Sequence, residues 1–216
     1  MKYGEIIHIF VAFVILVAII IAPTMFGNAS PTIPKALLFA FIILLVSVSS
    51  KKIFAFLLES NVEHKIWTLE RWGLHKQDKF KKPLPLGIIL PIIISLFSFG
   101  AARLMSFLTY ETTPKKTRAV RAFGHTKVYS YVSMTDWHNA LIGAASTVSV
   151  LILALVAYFL PWNIEPLARL ATFYAFSNML PLSKLDGIQI FFGSRVLYVT
   201  LAAITLIFTG YAIVLQ

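Results

Sequence analysis

The chain has no cysteine and few acids: nine Asp and Glu stand against 19 Lys and Arg in 216 residues. Without cysteine there is no disulfide, no thiolate nucleophile and no Cys-ligated metal, although the absence leaves the compartment open. Charge is also scarce, at 13% of residues, where soluble domains carry about 25%. Hydrophobic residues fill the gap, at 58% of the chain, with a mean hydropathy of +0.82. This is the composition of an integral membrane protein, and the length favours one domain. Internal repeats and low-complexity tracts are missing too.

The net charge of +10 would point to nucleic acid in a soluble protein. No basic segment here carries a nucleic-acid-binding fold signature, so no nucleic-acid partner is expected. The excess reads as basic loops that flank membrane spans and are drawn to anionic lipid headgroups. The expected partners are the bilayer and transmembrane segments of other proteins.

About 20 apolar residues cross the ~30 Å hydrocarbon core as a helix. Residues 6–26 suffice, and no small-x-small cleavage site follows, so they read as a retained span and not a signal peptide. A second span opens at Pro34 or Lys35. Its continuation, 51–58, begins Lys51-Lys52 and reads as interfacial, with both lysines snorkelling. In 59–83, Val62, Ile66, Trp67, Leu69 and Trp72 partly fit a 3.6 period and predict a short surface helix. Leu86–Leu108 reads as a third span. Residues 126–132 have the alternation of a short strand. Residues 137–160 form a further span, and its small residues Gly143, Ala144 and Ser146 are expected to face the helix ending at Pro181. Residues 167–180 are apolar but short, and 196–215 make the last span.

The expected fold is therefore all-α and polytopic, with about six hydrophobic helices, one of them short and broken. The expected units are a hydrophobic hairpin at 1–58, a polar surface segment at 59–83 and a membrane core at 84–216. The expected location is a prokaryotic cell membrane, crossed several times. Segment 51–83 carries eight Lys and Arg and segment 109–137 carries five. A fully crossing third span would put these on opposite faces, so the charge rule gives only a weak vote on orientation.

An ionisable group at membrane depth is costly and marks a functional site by default. Asp186 is such a group, in a polar turn after a hydrophobic stretch halted by Pro181. Asn178, Pro181, Leu185, Asp186 and Gly187 together resemble the Asn-x-x-Pro-x-x-x-Leu-Asp-Gly motif of site-2 proteases, the intramembrane zinc metalloproteases. The resemblance covers roughly residues 85–195 and implies a three-helix core. Gly143-Ala144-Ala145-Ser146-Thr147 aligns with the family's Gly-Pro-x-x-Asn element, with Ala144 for Pro and Thr147 for Asn. The zinc-binding HExxH is missing. Its expected place, near 95–103, contains no His and no Glu.

In that family the Asp of the Leu-Asp-Gly turn is a zinc ligand. Here the resemblance implies a remnant ligand, Asp186, in a non-catalytic protein without a cofactor, whose old cleft binds or scaffolds transmembrane segments or partner proteins. Asp186 is expected to meet the 84–108 helix near Phe97 and Ser98. It lies in a buried non-helical turn over 182–187 and pairs with Lys184, Arg195, Ser98 or water. The five histidines are His8, His64, His75, His125 and His138, and no two are three or four apart. A divergent active metalloprotease would need His125 and His138 to meet Asp186 around zinc from separate loops. A third reading is a small transporter or channel subunit, supported by the helix broken at Pro181.

Overall fold

The computed structural model describes residues 3–25, 31–71, 79–99, 103–115, 134–160 and 164–214. Two helices, α1 (Tyr3–Met25) and α2 (Ile33–Leu57), lead into strands β1 (Ser60–Ile66), β2 (Leu69–Arg71) and β3 (Lys79–Leu84). Helix α3 (Leu86–Phe97) and strand β4 (Leu108–Pro114) follow. The remainder is helical: α4 (Asp136–Phe159), α5 (Glu165–Met179), α6 (Asp186–Gly193) and α7 (Arg195–Val214). Helices α1, α2, α4 and α7 are long and apolar enough to cross a membrane. At 1.5 Å per residue each reaches about 30 Å or more, the thickness of the hydrocarbon. The chain is thus a mainly helical membrane protein.

Helix boundaries follow local chemistry. Pro34 and Pro166 sit in the first turns of α2 and α5, where a missing N–H costs nothing. Thr135 precedes α4, and Asp136 places a carboxylate in its first turn. Pro181 disfavours helical backbone at the residue before it, and α5 stops with Leu180 already extended.

Two segments depart from the sequence-based expectation. The stretch 86–108 is not a full span. Helix α3 has 12 residues, roughly 18 Å, too short to cross. The chain then returns to β4, which pairs antiparallel with β1 from Ser60–Pro114 to Ile66–Leu108. Backbone bonds from Trp67 N to Phe107 O (2.8 Å) and from Gly87 N to Trp67 O (2.9 Å) tie the entry and exit of this excursion together. The stretch 59–83 contains strands, not a surface helix. Ser60, Val62 and His64 point inward from β1 while Asn61 and Lys65 are exposed. A period of two explains this burial, whereas a 3.6 period skips His64. Of the six hydrophobic helices expected, four have spanning length; the 15-residue α5 and the 12-residue α3 are shorter. The strand expected at 126–132 lies outside the described residues.

The core lies where α1, α2, α4 and α5 meet. Leu16, Ile19 and Ile20 of α1 pack with Ala36, Phe39 and Ile43 of α2, and with Val150, Leu170 and Ala171 of α4 and α5. A polar seam runs through it. Tyr174 donates to Ser47 Oγ (3.1 Å), and Ser47 and Ser146 hydroxyls lie 2.9 Å apart, linking α5, α2 and α4. Buried hydroxyls need partners, and in this seam they partner one another.

Candidate functional site

The site begins with α2. Its buried positions run Ala36, Ala40, Ile43, Ser47, Lys51 and Ala55, a stripe three or four residues apart. Lys51 is on that stripe and is 2% exposed; Lys52 is one step off it and half-buried. The ammonium of Lys51 therefore points into the bundle. There it lies 2.7 Å from Asp186 Oδ2, on a carboxylate that is 1% exposed. The ring of Tyr110, from β4, lies 4.8 Å from the same nitrogen, a cation–π contact.

Asp186 is the first residue of α6, where the positive end of the helix dipole favours an anion. The contact with Lys51 is close but poorly aligned as a hydrogen bond. Among the described residues neither carboxylate oxygen has a directed donor. Charge attraction thus holds the pair, since breaking a buried pair strands the other charge. Tyr110 donates to the Asn139 carbonyl at 2.6 Å. Burial and then the nearby Asp186 carboxylate push its phenol well above the usual 10, so it stays a neutral donor.

The motif residues are placed as follows. Asn178, buried near the end of α5, accepts from Ser106 Oγ at 3.0 Å, and its neighbour Ser177 accepts from Met105 N at 3.0 Å. Together they pin the segment leading into β4. Pro181 to Lys184 form an exposed turn, with Ser183 in left-handed backbone. Leu185, Asp186 and Gly187 are buried, and the last two are already helical. The expectation of a buried, non-helical 182–187 turn holds only in part: 182–184 are exposed, and helix already begins at Asp186. Gly187 is required there: a Cβ would sit 2.2 Å from the Met179 carbonyl oxygen.

Asp186 meets α2, not α3, which corrects the expected contact with the 84–108 segment. Its cation is Lys51, not Lys184 or Arg195. Gly143 faces Tyr110 and Ile190 instead of α5: a Cβ there would lie 2.7 Å from the Tyr110 hydroxyl. Ser146 turns to Ser47 on α2. Ala144 does pack beside Met179, near the end of α5. Thr147 donates within its own helix to the Gly143 carbonyl, at 3.4 Å. His138 bonds to Thr135 in the first turn of α4, and His125 and His75 lie outside the described residues. Among the described residues no three His, Asp or Glu side chains gather as metal ligands do.

A second ionic group sits beside the first. Glu5 of α1 lies 2.8 Å from Lys52 and 3.0 Å from His64 Nδ1 of β1. Burial, reinforced by the charge of Lys51, lowers His64 from 6.5 to about 4. At neutral pH His64 is therefore an uncharged ring donating to Glu5, and among the described residues only Lys52 forms a true ion pair with that carboxylate.

The outer edge of β4 borders this site. His64 N points to Glu5, at 3.4 Å, and so away from β4. The facing residue in register is Tyr110, so its backbone groups also point away from β1. Gln189 Nε2 donates to the Tyr110 carbonyl on that side, at 3.2 Å. Among the described residues no strand covers this edge. Beside it lies a polar cleft of about 400 Å³, lined by Tyr110, Asp136, Asn139, Lys184, Gln189 and Phe192 among others.

Sequence reasoning missed Lys51, Tyr110 and Ser47. For Lys51 the signal was available: it continues the buried stripe of α2, and Lys52 does not. Comparison with protein-family models, curated proteins and solved structures gives no match for this chain.

Proposed function

We propose that the chain is a multi-pass protein of a prokaryotic cell membrane whose core resembles that of site-2 proteases, with a lysine ammonium in place of the zinc ion. It binds or scaffolds transmembrane segments of other proteins and does not cut them. The Lys51–Asp186 pair carries this reading. An HExxH motif uses positions one, two and five of a helical stretch. Ser47-Val48-Ser49-Ser50-Lys51 on α2 has that spacing, with Ser47 and Lys51 buried one turn apart. Serine, valine and lysine then stand where histidine, glutamate and histidine belong. The metal-binding element of the resemblance is thereby moved from 95–103 to α2. Val48 offers no general base, and Lys51 supplies the positive charge that Asp186 needs.

The open edge of β4 supports a binding role. An extended segment can add to such an edge through main-chain hydrogen bonds, with the adjoining cleft receiving its side chains. In this reading β4 is the strand-addition surface.

The test uses purified chain in detergent, assayed for zinc and for cleavage of a membrane-embedded peptide. A photoreactive group at Phe192, on the cleft wall, reports binding of the same peptide. The expected result is crosslinking without cleavage. About one zinc per chain, lost on Asp186→Ala, overturns it, because a three-ligand catalytic site holds one metal. So does cleavage that disappears in Asp186→Asn.

One observation favours a second reading, a small transporter or channel subunit. The bundle holds two buried opposite charges, and neither carboxylate oxygen receives a directed donor among the described residues. Ion or solute flux in liposomes, abolished by Asp186→Asn, would select it.

A further inference from the structure

The β1–β4 pairing puts the described parts of both polar connectors at one end of the molecule. The first residues of α1 and the last of α2 join them there, through Glu5, Lys52 and His64. The start of α4 does so through the bond from Tyr110 to Asn139. The start of α7 follows, since Gly193 abuts the Asp136 carbonyl and Ala140. At the opposite end the last turns of α4 and α7 meet, with the Tyr158 and Tyr211 hydroxyls 2.6 Å apart.

Charge is divided unequally between these ends. Ten of the 13 described Lys and Arg belong to the sheet end; Lys35 and Arg169 lie toward the other, and Arg103 falls between α3 and β4. Lys and Arg in short segments near span ends set membrane orientation, and they favour the cytoplasmic side. Anionic lipid of the inner leaflet attracts such residues. The weak vote of the linear sequence came from placing the two connectors on opposite faces. With their described residues on one face the charges of these add.

We propose that the sheet-bearing end is the cytoplasmic end of the protein, so that the β4 edge and the cleft beside Asp186 open to the cytoplasm. This rests on the multi-pass reading above. A segment bound at β4 then arrives from the cytoplasmic side, and Thr32, just before α2, lies outside.

The natural absence of cysteine makes the test direct, because each introduced thiol is the only one. Asn61 and Ser183 are exposed at the sheet end, and Thr32 and Glu165 at the other. Each is replaced singly by cysteine in the full chain, and spheroplasts are treated with a membrane-impermeant maleimide. The expected result is labelling of Thr32→Cys and Glu165→Cys in intact spheroplasts, and of Asn61→Cys and Ser183→Cys only after permeabilisation. The reverse pattern overturns the orientation but leaves the multi-pass reading standing. Identical behaviour of all four sites means that the two ends share one side of the membrane, and the multi-pass reading fails with the proposal.

Discussion

Lys51 and Lys52 are neighbours in the chain yet bind carboxylates on different helices, Asp186 at 2.7 Å and Glu5 at 2.8 Å. Successive helical residues differ by about 100° in direction, so one side chain enters the bundle and the other stays at its margin. The two pairs differ in burial and hence in how much each matters to the fold. Lys52 is 31% exposed and its attraction is partly screened. Lys51, at 2% exposed, escapes that screening.

Lys51→Met alone leaves the Asp186 charge buried without its cation, and Asp186→Leu does the converse. Each should cost roughly 3–5 kcal/mol, the usual result of breaking a buried pair. The double variant Lys51→Met/Asp186→Leu should recover most of that loss. Thermal unfolding of the four proteins in one detergent measures this. Additive losses would mean that the two charges do not act as a pair.

Gly143→Ala should destabilise the fold by about 1–3 kcal/mol through overpacking, and Gly143→Leu by more. The cause is the Tyr110 hydroxyl, 2.7 Å from the added carbon, with Ile190 Cγ1 at 3.2 Å behind it. In a Tyr110→Phe background the Gly143→Ala penalty should shrink. An unchanged penalty would place the clash elsewhere.

Gly187→Ala should be worse than Gly143→Ala. Its added carbon meets the backbone oxygens of Met179 and Leu180, at 2.2 and 2.8 Å, and these cannot rotate aside. The first turn of α6 must then move off the end of α5, taking Asp186 with it. The check is the yield and melting temperature of the two variants side by side.

Acidification should destabilise the protein through His64. Its folded-state value of about 4 lies below its ordinary 6.5, so the unfolded chain binds the proton more tightly. The contribution is fully present above pH 6.5 and is lost as pH falls toward 4. Its size is on the order of 3 kcal/mol, since each tenfold difference in proton affinity is worth about 1.4 kcal/mol. Melting temperatures between pH 7.5 and pH 4.5 should fall less for His64→Asn than for the parent chain. Equal slopes would assign the effect to other groups.

The long apolar elements were legible because their signal is local and repeated. Residues 6–26, 137–160 and 196–215 need no partner to declare themselves as helices. Pro181 marked the end of α5 for an equally local reason. What the sequence concealed depends on distant pairing. Strand β1 disguises its inward face by placing His64 between Val62 and Ile66, so the alternation looks broken until Glu5 and Tyr110 surround that histidine. Residues 98–108 are apolar enough to continue a helix. Instead the bonds of Trp67 N to Phe107 O and of Met105 N to Ser177 Oγ redirect residues 103–108. The candidate site is half legible: Asp186 stands out as a charge in an apolar region, while Lys51 is too far along the chain for any local pattern to pair the two.

The two halves of the central ion pair are made at different times. A ribosome adds about 5–20 residues per second, so Asp186 follows Lys51 by on the order of ten seconds. In that interval Lys51 is already near the end of a finished apolar helix without Asp186 to receive it. Its four-carbon stem lets the ammonium reach the headgroup layer meanwhile. Drawing it inward is then one of the last steps of assembly, possible only once α5 and α6 have docked against α4. A chain halted before Asp186 should keep that lysine within reach of amine-reactive reagents, and a completed chain should hide it.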